Sequence, residues 1–171
     1  MKRGARANLI LLAGVVALAA ATVAELRRER TLGVDPLTAL DADTVRTLAV
    51  DCAGCVPRRF EKHGQHWRML EPYAQAADDA AVARLLAIAR APVRFRRARD
   101  GLDPRKLGLD PPQASLRLDD TLLKFGATDP INGDRYADAG GTIALVPDRF
   151  SALLFARAES ELAKPPASNG N

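Results

Sequence analysis

Hydrophobic and polar positions divide this chain into two unequal parts. Asn8 to Ala24 is an apolar run without a charge, framed by the basic stretch Met1 to Arg6 and the charged stretch Glu25 to Arg30. At about seventeen residues the run reaches the lower limit for crossing a hydrocarbon core, and it exceeds the usual apolar stretch of a cleavable signal. Ala19 and Ala21, or Thr22 and Ala24, supply the small pair a signal peptidase requires. Glu-Leu-Arg-Arg-Glu-Arg directly downstream reads better as the polar flank of a membrane helix than as a mature N-terminus. Residues 1–30 are therefore expected to form a retained anchor that exports the rest. The flanking charges do not fix the orientation, since Lys2, Arg3 and Arg6 are balanced by Arg27, Arg28 and Arg30.

Beyond the anchor the pattern shortens. Thr44 to Asp51 alternates around Val45, Leu48 and Val50, and Val56 to Lys62 and His66 to Leu70 read as two more strands about a Gly64 turn, stopping at Pro72. A helix follows, capped by Asp78 or Asp79, with Val82, Leu85, Leu86 and Ala89 at helical spacing and Pro92 at its end. Val93 to Ala98 alternates again, placing Val93 and Phe95 on a core face and Arg94 and Arg96 opposite. Pro104 to Gly108 suggests one helical turn, which Asp110-Pro111-Pro112 cannot continue. Ala114 to Leu118, Leu122 to Phe125, Arg135 to Ala137 and Thr142 to Val146 form a second set of strands, turning at Asp119-Asp120 and Asn132-Gly133. Asp148 then caps a closing helix whose apolar positions include Phe150, Leu153, Leu154 and Leu162. A weak echo links Gly64, Trp67 to Leu70, Pro72 and Leu85-Leu86 to Gly141, Ile143 to Val146, Pro147 and Leu153-Leu154. The expected fold is α+β: two meander-plus-helix halves of mainly antiparallel strands over residues 31–163, preceded by the membrane helix and followed by a disordered tail, 164–171.

Charge changes the picture once it is located. The sequence pI of 9.4 would suggest a nucleic-acid partner. However, residues 1–34 hold 6 basic and 2 acidic side chains, leaving 19 of each in the other 137 residues. A neutral domain with few aromatics lacks both the basic surface and the stacking platform that nucleic acids need. Within it the charge is uneven. Arg84 to Lys106 holds 8 basic residues against Asp100 and Asp103. Arg94, Arg96, Arg97 and Arg99 read either as a solvated strand face or as a docking surface for an acidic partner or anionic headgroups.

Cys52-Ala53-Gly54-Cys55 and His63-Gly64-Gln65-His66 supply two pairs of zinc-ligand types. An extended Val56 to Lys62 would hold the pairs about 25 Å apart at ~3.3 Å per residue, so zinc is not expected. A thioredoxin-like pair would open a helix, where the dipole lowers the first thiol's pKa, but Pro57 and the alternation after Cys55 exclude a helix there. In an oxidising compartment the pair is expected to form a Cys52–Cys55 disulfide across a two-residue hairpin turn. None of Ser115, Ser151, Ser160 or Ser168 sits in a nucleophile elbow. Asp78-Asp79 and Asp119-Asp120 are explained as a helix start and a turn, and His63 and His66 as solvated. No catalytic residue, metal or cofactor is expected.

Gly108-Leu109-Asp110-Pro111-Pro112, Phe125-Gly126, Asp129-Pro130-Ile131-Asn132-Gly133, Arg135-Tyr136 and Leu145-Val146, with Trp67 to Pro72 and Pro36-Leu37-Thr38 ahead of them, resemble the bacterial family called domain of unknown function 4340. The resemblance spans roughly Pro36 to Leu154. It implies an N-terminally anchored, extracytoplasmic α+β domain, some of whose relatives are encoded near transport systems of the ATP-binding-cassette type, including those linked to gliding motility. It carries no catalytic residues over, and Cys52 and Cys55 fall outside its pattern. The resulting expectation is a single-pass inner-membrane protein, tethered through residues 8–24, whose periplasmic domain is an accessory module. That module would bind an unidentified envelope protein, in a transport or other envelope assembly. The rival expectation is a periplasmic thiol-disulfide oxidoreductase using Cys52 and Cys55.

Overall fold

The described residues of the computed structural model are 35–164. The predicted anchor, its charged flank and the tail beyond Lys164 lie outside them. Among the described residues no helix is long and apolar enough to cross a membrane. Nine strands form one antiparallel sheet: β1 (Thr47–Cys52), β2 (Arg58–His63), β3 (His66–Glu71), β4 (Gln75–Ala76), β5 (Phe95–Ala98), β6 (Ala114–Leu118), β7 (Thr121–Thr128), β8 (Asp134–Ala139) and β9 (Thr142–Pro147). Their spatial order is β4-β3-β2-β1-β6-β7-β8-β9-β5. Two meanders, β1 to β4 and β6 to β9, thus meet where β1 pairs β6, Cys52 opposite Ala114 and Leu48 opposite Leu118. β5 follows the first meander in sequence but pairs β9 at the far edge.

Alternation decides which side of each strand is buried. Leu48 and Val50, Phe60, Trp67 and Met69, Ala114, Leu116 and Leu118, Leu123 and Phe125, and Ala144 and Val146 share one face. The helix α1 (Asp79–Leu86) covers that face through Val82, Leu85 and Leu86, continuing as a 3-10 turn with Ile88 and Ala89. Asp78 caps α1 by accepting from the amides of Ala80 and Ala81 at 2.9 and 3.3 Å. Asp79 ties the helix to the β2–β3 hairpin, accepting from Trp67 N at 2.7 Å and contacting His66 Nδ1 at 2.7 Å. The His66 and Trp67 hydrogen bonds hold the Asp79 carboxyl below its ordinary range. The hairpin between β8 and β9 closes over Gly140 and Gly141, both at positive φ, as a two-residue turn of this kind demands.

Several expectations are corrected. Phe95 does not face the core: it is 57% exposed, and all four β5 residues are exposed. A bend at Arg94 resets the alternation, so Val93 packs against the core while Phe95 lies opposite Leu145 on the open face. The closing helix shrinks to α2 (Ser151–Leu154) between 3-10 turns, and Leu162 instead bridges Ala77. The cause is Arg58, whose guanidinium takes the carbonyls of Leu153 and Leu154 that a continuing helix would offer to residues 157 and 158. Asp148 accepts from Arg135 and Ser151 side chains rather than capping a long helix. Pro104 to Gly108 is a pair of turns without a helix, and the β1–β2 connection runs through Ala53–Pro57, five residues rather than two.

Those turns dock on β7, where Ala127 N donates to Leu107 O at 2.8 Å. The fit leaves no room at Gly126, where a Cβ would collide with Leu107 O and stand 3.0 Å from Leu109 Cγ. Because backbone cannot swing aside, Gly126→Ala is expected to cost about 1–3 kcal/mol. Thermal melting should show a midpoint lowered by roughly 4 to 12 °C.

Candidate functional site

Because neighbouring strands alternate in direction, one end of the sheet gathers the β1–β2 loop, the segment after β3, the β7–β8 loop, the segment after β9 and the start of β5. Among the described residues the exposed large apolar side chains are Val56, Leu70, Phe95, Ile131 and Phe155, and every one lies at this end. The other end carries polar turns, including His63 to His66, Asp119-Asp120 and Gly140-Gly141.

Two buried arginines shape the apolar end. Arg58 opens β2 on the core face, with its side chain fully buried. It pairs with Glu161 and also donates to Leu153 O at 3.2 Å and Leu154 O at 2.5 Å. Arg58 Nε and Glu161 Oε2 are buried without a hydrogen-bond partner among the described residues. Desolvation outweighs the attraction of Arg58 and pushes the Glu161 carboxyl up to about 7; burial likewise pulls the Arg58 guanidinium down. Since Arg58 holds both Leu154 and Glu161, the intervening bight Phe155–Ser160 is fastened at both ends. Arg135, the second residue of β8, grips the turn and helix that lead into this bight. Its Nε donates to Asp148 at 2.6 Å and Ser151 Oγ at 2.8 Å, and its Nη1 to Gln113 Oε1 at 2.9 Å and to Gly126 O. Burial would raise the Asp148 carboxyl, but hydrogen bonds from Arg135 and Ser151 hold it below its ordinary range.

The fastened bight walls a cleft of about 390 Å³, lined across from it by Gly54, Cys55 and Val56 and by Pro72 and Tyr73. Tyr73 donates to Glu159 at 2.6 Å, which raises the phenol's pKa and lowers that of the carboxyl. Arg157, exposed at the cleft, makes no side-chain hydrogen bond or ion pair among the described residues. A second, shallower hollow of about 550 Å³ lies on the open face of the first meander, over Ala49 and between Arg59, Glu61 and Arg117. Its Arg59 is engaged by Asp51 at 2.8 Å, and Leu70 is its one exposed large apolar side chain.

The Cys52 and Cys55 sulfurs are at bonding distance, with Cα atoms 5.4 Å apart, at the start of the β1–β2 loop. This places the pair beside the cleft, with Cys55 in its wall. A bond closing so short a loop restricts little of the unfolded chain. Replacing both cysteines with Ser is expected to cost at most about 1 to 2 kcal/mol, read from urea denaturation. β2 runs extended from Arg58, so Cys55 and His63 stand at opposite ends of a strand. Among the described residues no group of three His, Cys, Asp or Glu side chains is placed to hold a metal.

The arginines singled out by charge lie along the sheet edge, but they are not one unpaired cluster. Arg94 pairs with Asp134 at 3.3 Å, Arg96 with Asp35 at 2.9 Å and Arg99 with Asp138 at 3.3 Å. Asp134 and Asp138 are buried beneath their partners. Arg97 alone of the four has no such partner among the described residues. Charge counting along the chain found these four because acids distant in sequence do not enter the count. It missed the cleft, whose only cue was that Val56 and Phe155 stand outside the core-face alternation.

A family model described as domain of unknown function (DUF4340) matches residues 67–163. The chain belongs to this family. No curated protein and no solved structure matches the chain. The DUF4340 match opens on Trp67 in β3 and takes in Pro72, Tyr73 and the whole Phe155–Ser160 bight. Gly54, Cys55, Val56 and Arg58 precede it, so the cleft joins DUF4340-matched residues on two sides to an unmatched loop on the third.

Proposed function

We propose that this chain is a membrane-tethered periplasmic accessory module that binds a protein partner, in a transport or other envelope assembly. The observation that carries the reading is the gathering of the exposed large apolar side chains at one end of the sheet. From Leu70 on β3 to Phe95 on β5 there are seven strand spacings, about 34 Å at ~4.8 Å each. A small ligand cannot cover that span, whereas a protein surface can. Membrane attachment is supported by the apolar run Asn8 to Ala24 and its charged flank. The arginines of β5 are a second contact candidate, weakened by their internal pairing.

The test is a photo-crosslinking amino acid placed in cells at Val56 or Ile131, with His63 or Gly140 as controls at the opposite end. The reading requires a crosslink to a defined envelope protein from the first pair, absent from the second, and a chain that stays in membranes after alkaline washing. Recovery as a soluble periplasmic species without a crosslink would sink it. One observation favours a second reading, thiol-disulfide exchange: Cys55 lies in the cleft wall. Such an enzyme should be reduced readily by a glutathione buffer, whereas a structural bond resists it.

A further inference from the structure

The geometry points to the chemistry that the cleft receives: an extended segment of the partner bearing one large apolar side chain and, next to it, an aspartate or glutamate. This rests on the partner-binding reading and adds what the partner must present. The cleft holds about 390 Å³ between walls that supply Val56, Pro72, Ala156 and Phe155, room and surface for an aliphatic or aromatic anchor. Val56 is 59% and Phe155 38% exposed, although both sit on structured backbone. The wall carrying Phe155 is fastened at both ends by Arg58, so the site is held open without an occupant.

Charge selects the neighbour of the anchor. Two formally charged side chains line the cleft, Glu159 and Arg157. Glu159 accepts the Tyr73 hydroxyl hydrogen bond at 2.6 Å, while the Arg157 guanidinium keeps all its donors unengaged among the described residues. A planar fork of donors at the mouth of an apolar cleft matches a carboxylate, which it can bind through two parallel hydrogen bonds. A basic residue there would meet the Arg157 charge, and the one carboxylate lining the cleft, Glu159, already accepts from Tyr73 and lies in the field of Arg157. The breadth of the apolar rim argues for a protein that carries this segment rather than a free fatty acid.

The experiment is selection of a random dodecapeptide phage library on the full chain, immobilised in detergent micelles. Selected peptides should share an apolar residue within three positions of Asp or Glu. Val56→Asp should lower recovery of those phage at least tenfold, with an unchanged melting profile, because the position is exposed. Arg157→Glu should exchange the selected acids for Lys or Arg, an outcome that simple misfolding cannot produce. No enrichment, or enriched peptides indifferent to both substitutions, would overturn the assignment. So would a dimer in sedimentation that Val56→Asp dissociates, which would give the rim to a second copy of this chain. The crosslinking test stands apart from these outcomes: a partner captured at Ile131 with no peptide selected would leave partner binding intact and remove only the cleft's role.

Discussion

Glu161→Ala is expected to be among the most damaging single substitutions in the domain, lowering stability by about 3–5 kcal/mol, because it leaves the buried Arg58 guanidinium without the side-chain partner that accepts from it. Glu161→Gln should cost less, since an amide oxygen of the same shape still accepts from Arg58. The double replacement Arg58→Met with Glu161→Leu should recover only part of the loss, since it removes both buried polar side chains but leaves the Leu153 and Leu154 carbonyls without the guanidinium donor. Urea denaturation of the four proteins measures this, and equal losses for Glu161→Ala and the double variant would contradict the account. The pH dependence has a definite sign. With its folded pKa raised to about 7, Glu161 holds a proton more tightly in the folded chain than in the unfolded one. Its contribution is therefore fully present below about pH 4.5 and is lost as pH rises through about 7. Stability should fall between those limits, and Glu161→Gln should flatten the slope there. Loss of Glu161 also unfastens one end of the Phe155–Ser160 bight, so amide exchange in that segment should quicken even where the sheet remains folded.

Arg135→Ala should lower stability by about 3 kcal/mol, through a different route. This guanidinium links the bulged end of β7, the β6 entry and α2 by reaching Gly126 O, Gln113, Thr128, Asp148 and Ser151. Its removal takes the donor from the buried Gly126 carbonyl and the counter-charge from Asp148, which keeps only the Ser151 and Thr128 hydroxyls. Arg135→Lys should restore little, since an ammonium cannot span acceptors arranged around a planar fork. Asp148, its pKa held down by Arg135 and Ser151, contributes stability above the unfolded carboxylate range that is lost as pH falls through its folded pKa. Arg135→Ala should therefore also reduce acid sensitivity below about pH 4, as followed by circular dichroism.

Much of the sheet was readable from alternation, since Leu48 with Val50, Trp67 with Met69, and Leu116 with Leu118 each mark a face that must be buried. α1 was readable too, because its cap, its spacing and its terminating proline agree. What escaped prediction depended on partners far away in the chain. Arg58 looked like one charge among several in a polar strand, yet Glu161, 103 residues later, pairs with it in the core, where its guanidinium takes the last carbonyls of α2. Phe95 looked like a core residue because nothing in its neighbourhood announces the bend at Arg94. The arginines of β5 looked unopposed because Asp35, Asp134 and Asp138 reach them only through the sheet. The cleft was least visible of all, being assembled from three loops, none of which repeats with a period.

The position of β5 bears on how the chain reaches its fold. β5 has one ladder partner, β9, and β9 is the last strand in the sequence, just as β1 finds β6 only after more than sixty intervening residues. Non-local pairings of this kind slow folding, because a long loop must close before any contact rewards it. A chain that emerges N-terminus first must therefore keep β5 waiting, unpaired, until Thr142–Pro147 has been delivered. A strand reading Phe-Arg-Arg-Ala, with arginines on either flank, is poorly suited to stray association during that interval, since clustered charge discourages edge-to-edge pairing. The arginines that end as partners of Asp35, Asp134 and Asp138 thus have an earlier part as gatekeepers of an unfinished edge.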